Sequence, residues 1–200
     1  MTELENLNII ILGSSEVGKT SIINRYFNNE YTDENIATIG IQHNHRFFKF
    51  NEDKVKIDYI DTAGQEKFKS IAANFLKRAD GVILVFDVTQ RDTFKLIDMW
   101  VEEINNKNNI NNIGKILLGN KIDLENKREV KKEEGIKLGK SINCNYLEVS
   151  AKTGHNIKDA FDQISRLTYE ACKLYRQRSN SFHLKGIKKK VEPKDIKRCC

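Results

Sequence analysis

Gly13-Ser14-Ser15-Glu16-Val17-Gly18-Lys19-Thr20 follows the apolar run Asn8 to Leu12 and leads into Ser21 to Phe27, a plausible helix. The stretch fits G-x-x-x-x-G-K-[ST], and between a strand and a helix that pattern has a physical meaning. Glycines let the backbone fold tightly around an anion, so that successive N–H groups and the helix N-terminus point at phosphate oxygens. Lys19 adds a positive charge, and the Thr20 hydroxyl can ligate Mg²⁺. The loop indicates phosphate; it leaves open which nucleotide is held and what reaction follows.

Outward from the loop, short apolar runs recur at Asn8 to Leu12, Val55 to Ile60, Val82 to Phe86, Ile116 to Leu118 and Tyr146 to Val149, with helical periodicity in several of the intervals. That alternation predicts an α/β fold built on a parallel sheet. Phe47 to Asn51 and Lys54 to Ile60 are close enough to form a hairpin, so one edge strand is expected to be antiparallel. Ile157, Ala160, Phe161, Ile164, Leu167, Ala171 and Leu174 fall on one helical face, as do Phe94, Ile97, Trp100, Val101 and Ile104. Both stripes read as core covering the sheet, with Trp100 a packing residue and Cys172 a small buried hydrophobe.

The 200 residues suffice for one domain and a tail. Net charge is +6, yet residues 177–200 hold eight of the 34 basic residues and two of the 28 acidic ones, which leaves residues 1–176 neutral. We therefore expect a domain over 1–176 and a flexible basic tail over 177–200, attracted to an anionic surface rather than to nucleic acid. Lys188-Lys189-Lys190 reads as part of that tail rather than as a nuclear signal. No apolar run approaches the roughly 20 residues of a membrane-spanning helix. Thr2 stands where myristoylation needs glycine, and the acidic start does not resemble a signal peptide. Cys144, Cys172, Cys199 and Cys200 lack metal-ligand spacing, which suits a reducing cytosol.

Asn120-Lys121-Ile122-Asp123 follows the fourth of these runs and Ser150-Ala151-Lys152 the fifth, at strand ends where open parallel sheets bind ligands. A fixed carboxylate such as Asp123 accepts two hydrogen bonds from N1–H and the 2-amino group of guanine, an edge adenine lacks. This selects GTP over ATP. Asp61-Thr62-Ala63-Gly64-Gln65-Glu66 lies between the two motifs.

In this order the motifs resemble those of small GTPases of the Ras superfamily over about residues 7 to 175. Ile39-Gly40-Ile41, Lys67-Phe68-Lys69-Ser70-Ile71, Asp87-Val88-Thr89 and the final Cys199-Cys200 resemble the Rab family of membrane-traffic switches. The resemblance implies a single-domain P-loop GTPase fold of class α/β: a six-stranded, mostly parallel sheet with one antiparallel edge strand and helices on both faces. It implies a GTP-hydrolysing switch with Mg²⁺ and bound GTP or GDP. Lys19 would bridge the β- and γ-phosphates, and Glu16, Gly18, Lys19, Thr20 and Ser21 would supply backbone N–H contacts. Thr20 and Thr38 would ligate Mg²⁺ directly, and Asp61 would hold it through water. The Gly64 N–H would meet the γ-phosphate, and Gln65 would orient the attacking water. Tyr31 would pack edge-on against the base, which Asn120 and Asp123 would read; Ser150-Ala151-Lys152 would present the Ala151 N–H to guanine O6, and Lys121 and Lys152 would flank the ring.

No arginine in the loop or switches is placed as a finger, so intrinsic hydrolysis is expected to be slow, on the order of 10⁻⁴ to 10⁻³ per second, and accelerated by an activating protein. Loss of the γ-phosphate would change the order of residues near 31–43 and 61–76. The resemblance further implies geranylgeranyl groups on Cys199 and Cys200, an escort protein or dissociation inhibitor, an exchange factor and effectors. A monomer on the cytosolic face of an endomembrane, with the secretory pathway as the guess, and no specific nucleic acid complete that expectation. The alternative is a module that holds GTP with little turnover; a P-loop nucleotide kinase would need lid arginines that the sequence lacks and would leave Asn120 to Asp123 without a role. Three departures stand out. Glu16 replaces a small residue and either points outward without effect or weakens nucleotide binding and speeds exchange. His43 and Ile60 replace two members of a hydrophobic effector triad whose third position is Phe75, so an unusual effector surface is expected, with His43 a surface residue rather than a pH sensor.

Overall fold

Ile9, Ile10, Ile11 and Leu12 have no exposed surface, as a continuous apolar run requires when a strand is covered on both faces. The computed structural model describes residues 5–33, 41–62, 74–107 and 113–184. Its strands are β1 (Glu5–Leu12), β2 (Ile41–Phe50), β3 (Asp53–Thr62), β4 (Gly81–Asp87), β5 (Gly114–Asn120) and β6 (Asn145–Glu148). They form one sheet in the order β2-β3-β1-β4-β5-β6. Only the β2–β3 pair is antiparallel, joined through Asn51 at φ 54° and Glu52. The six-stranded, mostly parallel sheet and its antiparallel edge hairpin are as expected, with most strands a few residues longer than their apolar runs.

Alternate side chains divide the core. Ile9, Ile11, Ile57, Tyr59, Ile83, Val85, Ile116 and Leu118 pack with helix α1 (Lys19–Asn28) and the last helix, α5 (Ile157–Leu184). Ile10, Leu12, Ile60, Val82, Leu84, Phe86 and Leu117 face α3 (Ile97–Lys107), with Leu138 of α4 (Lys132–Ser141) against the same cluster. Phe94 belongs to a separate short helix, α2 (Arg91–Lys95), with Leu96 between it and α3, so the expected single stripe is divided between two helices. Trp100 is core, as read.

The stripe on α5 is core only in its first half. Ile157, Ala160, Phe161 and Ile164 are buried, Leu167 and Ala171 half-buried, and Leu174 is 53% exposed. At about 1.5 Å per residue the 28-residue helix is about 42 Å long, and it outruns the sheet it covers. It is described to Leu184, eight residues past the boundary at 176, so the change in charge and the end of the helix do not coincide. Nothing in the sequence breaks it before Gly186, and Arg176 and Arg178 suit a helix C-terminal half. Among the described residues no helix is long and apolar enough to cross a membrane.

Candidate nucleotide site

The loop between β1 and α1 lies at the C-terminal end of the central strand, where a parallel sheet leaves a crevice. Gly18 precedes α1 at φ 91°, and a Cβ there would lie 2.5 Å from Asn120 Nδ2, so glycine is required both for the backbone turn and for room. The N-cap of α1 is Gly18, which has no side chain to cap the helix, and the first turn holds no acid. The first-turn N–H groups and the positive end of the helix dipole favour an anion at this end of α1.

Lys19 is 5% exposed and donates to the carbonyls of Gly13 at 3.0 Å and Ser14 at 2.7 Å. Burial pulls its ammonium down to about 8, and the nearby Asp61 carboxylate partly opposes this. An anion in the loop would offset the same desolvation. Thr20 Oγ1 donates to Asp61 Oδ2 at 2.6 Å, joining α1 to the end of β3. Two hard oxygen donors converging beside a phosphate-type loop fit Mg²⁺, which takes few protein ligands and completes its shell with phosphate and water. Glu16 is exposed and adopts φ 63°; Ser21 is half-buried. Thr38, Gly64 and Gln65 lie outside the described residues, as do Cys199 and Cys200.

At the other end of the crevice, Asn120 is 1% exposed. Its Nδ2 donates to Val17 O at 2.9 Å, and its Oδ1 accepts the Ala151 N–H at 3.2 Å. Asp123 is exposed and accepts the Ser150 hydroxyl at 2.6 Å, which fixes the rotation of its carboxylate. Lys121, at φ 68°, places its Nζ 2.7 Å from Asp87 Oδ2. Lys152 Nζ lies 3.3 Å from Asp33 and 5.9 Å from the Tyr31 ring centroid. The structure thus links Asn120 to Ala151, Asp123 to Ser150 and Lys152 to Tyr31, with Lys121 beside them in the loop after β5.

Sequence reading missed two supports. Arg25 donates from Nε to Ala151 O and from Nη2 to Lys152 O, each at 2.8 Å, tying α1 to the loop between β6 and α5. Asp87, noted only as part of a family signature, is the buried partner of Lys121. An arginine in a helix carries no sequence signal for such a role. Of the effector positions, Ile60 is 3% exposed and lies behind the surface, while the exposed His43 ring faces Phe75 with centroids 5.7 Å apart. His43 reads as a surface residue, as expected. Cys172 is buried, and its Sγ also donates to Asp80 Oδ1 at 3.8 Å.

The family model described as Ras family matches residues 8–170. Ras-related protein RABC2a of Arabidopsis thaliana is 34% identical over 188 residues, covering 94% of this chain and 89% of its own. Ras-related protein Rab-18-B of Danio rerio is 38% identical over 161 residues, covering 80% and 78%. Ras-related protein Rab-13 of Canis lupus familiaris is 38% identical over 158 residues, covering 79% and 77%. With the G-x-x-x-x-G-K-T loop after β1 and the loops after β5 and β6 all at the C-terminal ends of parallel strands, the chain belongs to the Rab branch of the Ras family, small GTPases that hydrolyse GTP and regulate vesicle traffic.

Proposed function

We propose that the crevice binds Mg²⁺ with GDP or GTP, the phosphates lying over the loop and the guanine between Lys121 and Lys152. The observation that carries this is the buried Lys19 ammonium beside an α1 N-terminus whose N-cap is Gly18 and whose first turn holds no acid. Lys19 neutralises the β- and γ-phosphates, and the N–H groups of Glu16, Gly18, Lys19, Thr20 and Ser21 bind their oxygens. Thr20, Thr38 and Asp61 hold Mg²⁺, which when bound supplies charge neutralisation at the phosphates. Gly64 reports the γ-phosphate, and Gln65 orients the attacking water. Asp123, set by Ser150, accepts from guanine; Asn120 and the Ala151 N–H meet its other edge, and Tyr31 packs against it.

Residues 1–176 are the switch domain and 177–200 a basic extension whose Cys199 and Cys200 carry geranylgeranyl groups. Two lipid chains plus lysines give firm attachment to an anionic cytosolic membrane face, with the secretory pathway as the site of action. Exchange factor, activating protein, escort or dissociation inhibitor and effectors are the partners. The alternative of a module without turnover gains no support from the family.

The test is binding and single-turnover hydrolysis of GTP against ATP with Mg²⁺. The native chain binds GTP selectively and turns it over slowly; Asp123→Ala loses guanine affinity by about 100-fold or more, and Gln65→Leu keeps affinity but loses turnover. Equal affinity for GTP and ATP would defeat the assignment.

A further inference from the structure

Glu16 occupies the left-handed region at φ 63°, within the loop between β1 and α1. Glycine would adopt this backbone without strain, whereas a glutamate carries a steric cost there. Its side chain is exposed and makes no hydrogen bond or ion pair among the described residues. Among the described residues, no pairing of the carboxylate repays that cost. A strained residue kept at a ligand loop is the kind of outlier from which a functional role is argued.

The loop's fixed charges give that carboxylate a direction of action. Lys19 is a buried cation at the loop, and Asp61 faces it from β3. Glu16 adds a second negative charge, outside any ion pair among the described residues, to a loop whose amides suit an anion. Repulsion scales with the charge of the ligand, and GTP carries one negative charge more than GDP. We infer that the Glu16 side chain is a determinant of GDP-versus-GTP preference: it disfavours the triphosphate and shortens the residence of both nucleotides. The inference rests on the nucleotide reading of the site and assigns it a specificity residue of this chain.

Unit charges about 7 Å apart across a water-exposed loop repel enough for about a three- to eightfold difference in affinity at low salt. The effect is screened when the Debye length falls to about 3 Å at 1 M salt. Backbone strain is not screened, and this separates the two contributions. Glu16→Gln keeps the left-handed side chain and removes the charge; Glu16→Gly removes both.

The experiment measures dissociation constants for Mg²⁺-GDP and for a Mg²⁺-bound non-hydrolysable GTP analogue, with release rates, on the full chain at low and high KCl. Glu16→Gln should improve affinity for the GTP analogue over GDP by about three- to eightfold at low salt, slow release of both, and lose these differences at high salt. Glu16→Gly should show the same shift together with a raised unfolding midpoint. Normal binding with the ratio in Glu16→Gln within twofold of native, or a shift that persists at high salt, overturns this inference alone. Failure of the native chain to bind either nucleotide overturns the nucleotide reading and this inference with it.

Discussion

The Lys121 ammonium lies 2.7 Å from Oδ2 of Asp87, a carboxylate with no exposed surface at the end of β4. The other oxygen of Asp87 accepts the Thr89 N–H at 2.8 Å and the Thr89 hydroxyl at 2.7 Å. Removing the cation leaves a buried charge whose Oδ2 has lost the Lys121 ammonium while Oδ1 keeps its two bonds from Thr89. Lys121→Met is therefore expected to lower stability by about 2 kcal/mol, below the usual range for a fully buried pair because Lys121 is partly exposed. Urea unfolding measures this, and Asp87→Asn in the same background should recover part of the loss. A loss under about 0.5 kcal/mol would mean that Thr89 alone satisfies the carboxylate.

Arg25 is expected to govern how long the base-side loop stays closed. Arg25→Met removes the donors to Ala151 O and Lys152 O while keeping an apolar stem. Two charge-assisted hydrogen bonds to partly exposed carbonyls support about a tenfold faster release of guanine nucleotide. The unfolding midpoint should change little. Stopped-flow release of a fluorescent GDP reads the first quantity, and an unchanged rate would reduce Arg25 to a surface brace.

Asp80 sets a pH dependence. Burial pushes its carboxyl up to about 6 from an ordinary value of 3.8, while the Asn8 N–H at 2.8 Å, the Cys172 thiol and the charge of Arg176 pull it back. The folded chain thus binds this proton more tightly than the unfolded chain. The stabilisation is complete below about pH 4 and is lost as pH rises through about 6, by about 3 kcal/mol at most. Asp80→Asn should flatten the stability profile across that window, and parallel profiles for the two proteins would refute the assignment.

Gly114 lets the backbone of α5 close on β5. A Cβ there would lie 2.6 Å from the Thr168 amide nitrogen, a backbone atom that cannot turn aside. Gly114→Ala should cost about 1 to 3 kcal/mol through displacement of α5 from β5. Calorimetry of the nucleotide-loaded chain measures the loss, and an unchanged midpoint would show that the helix has room to shift.

What could be read in advance follows from what is local. The runs at Asn8 to Leu12 and Val82 to Phe86 announce buried strands because burial on both faces needs continuous apolar sequence. Gly13 to Thr20 announces a phosphate loop because backbone chemistry ties its residues together at fixed spacing. The turn at Leu96 that separates α2 from α3 breaks no apolar pattern, so a single stripe was the natural reading. Leu174 sits in a perfect helical stripe but beyond the edge of the sheet, and a stripe says nothing of where its partner ends. Arg25 and Asp87 act across 126 and 34 residues of chain respectively, and their partners become visible only once the strands are ordered.

Asn120 holds Val17 with one end of its carboxamide and Ala151 with the other. The segment that embraces phosphate and the segment that meets the base are thereby two ends of one short rigid link. A nucleotide spanning both presents each of its halves at the high effective concentration set by the other. Guanosine and pyrophosphate offered separately forfeit that advantage and bind weakly even together. Departure of the whole ligand is then a single event, in which loosening either end spoils the grip of the other, so a partner that pries at the phosphates alone suffices to empty the site.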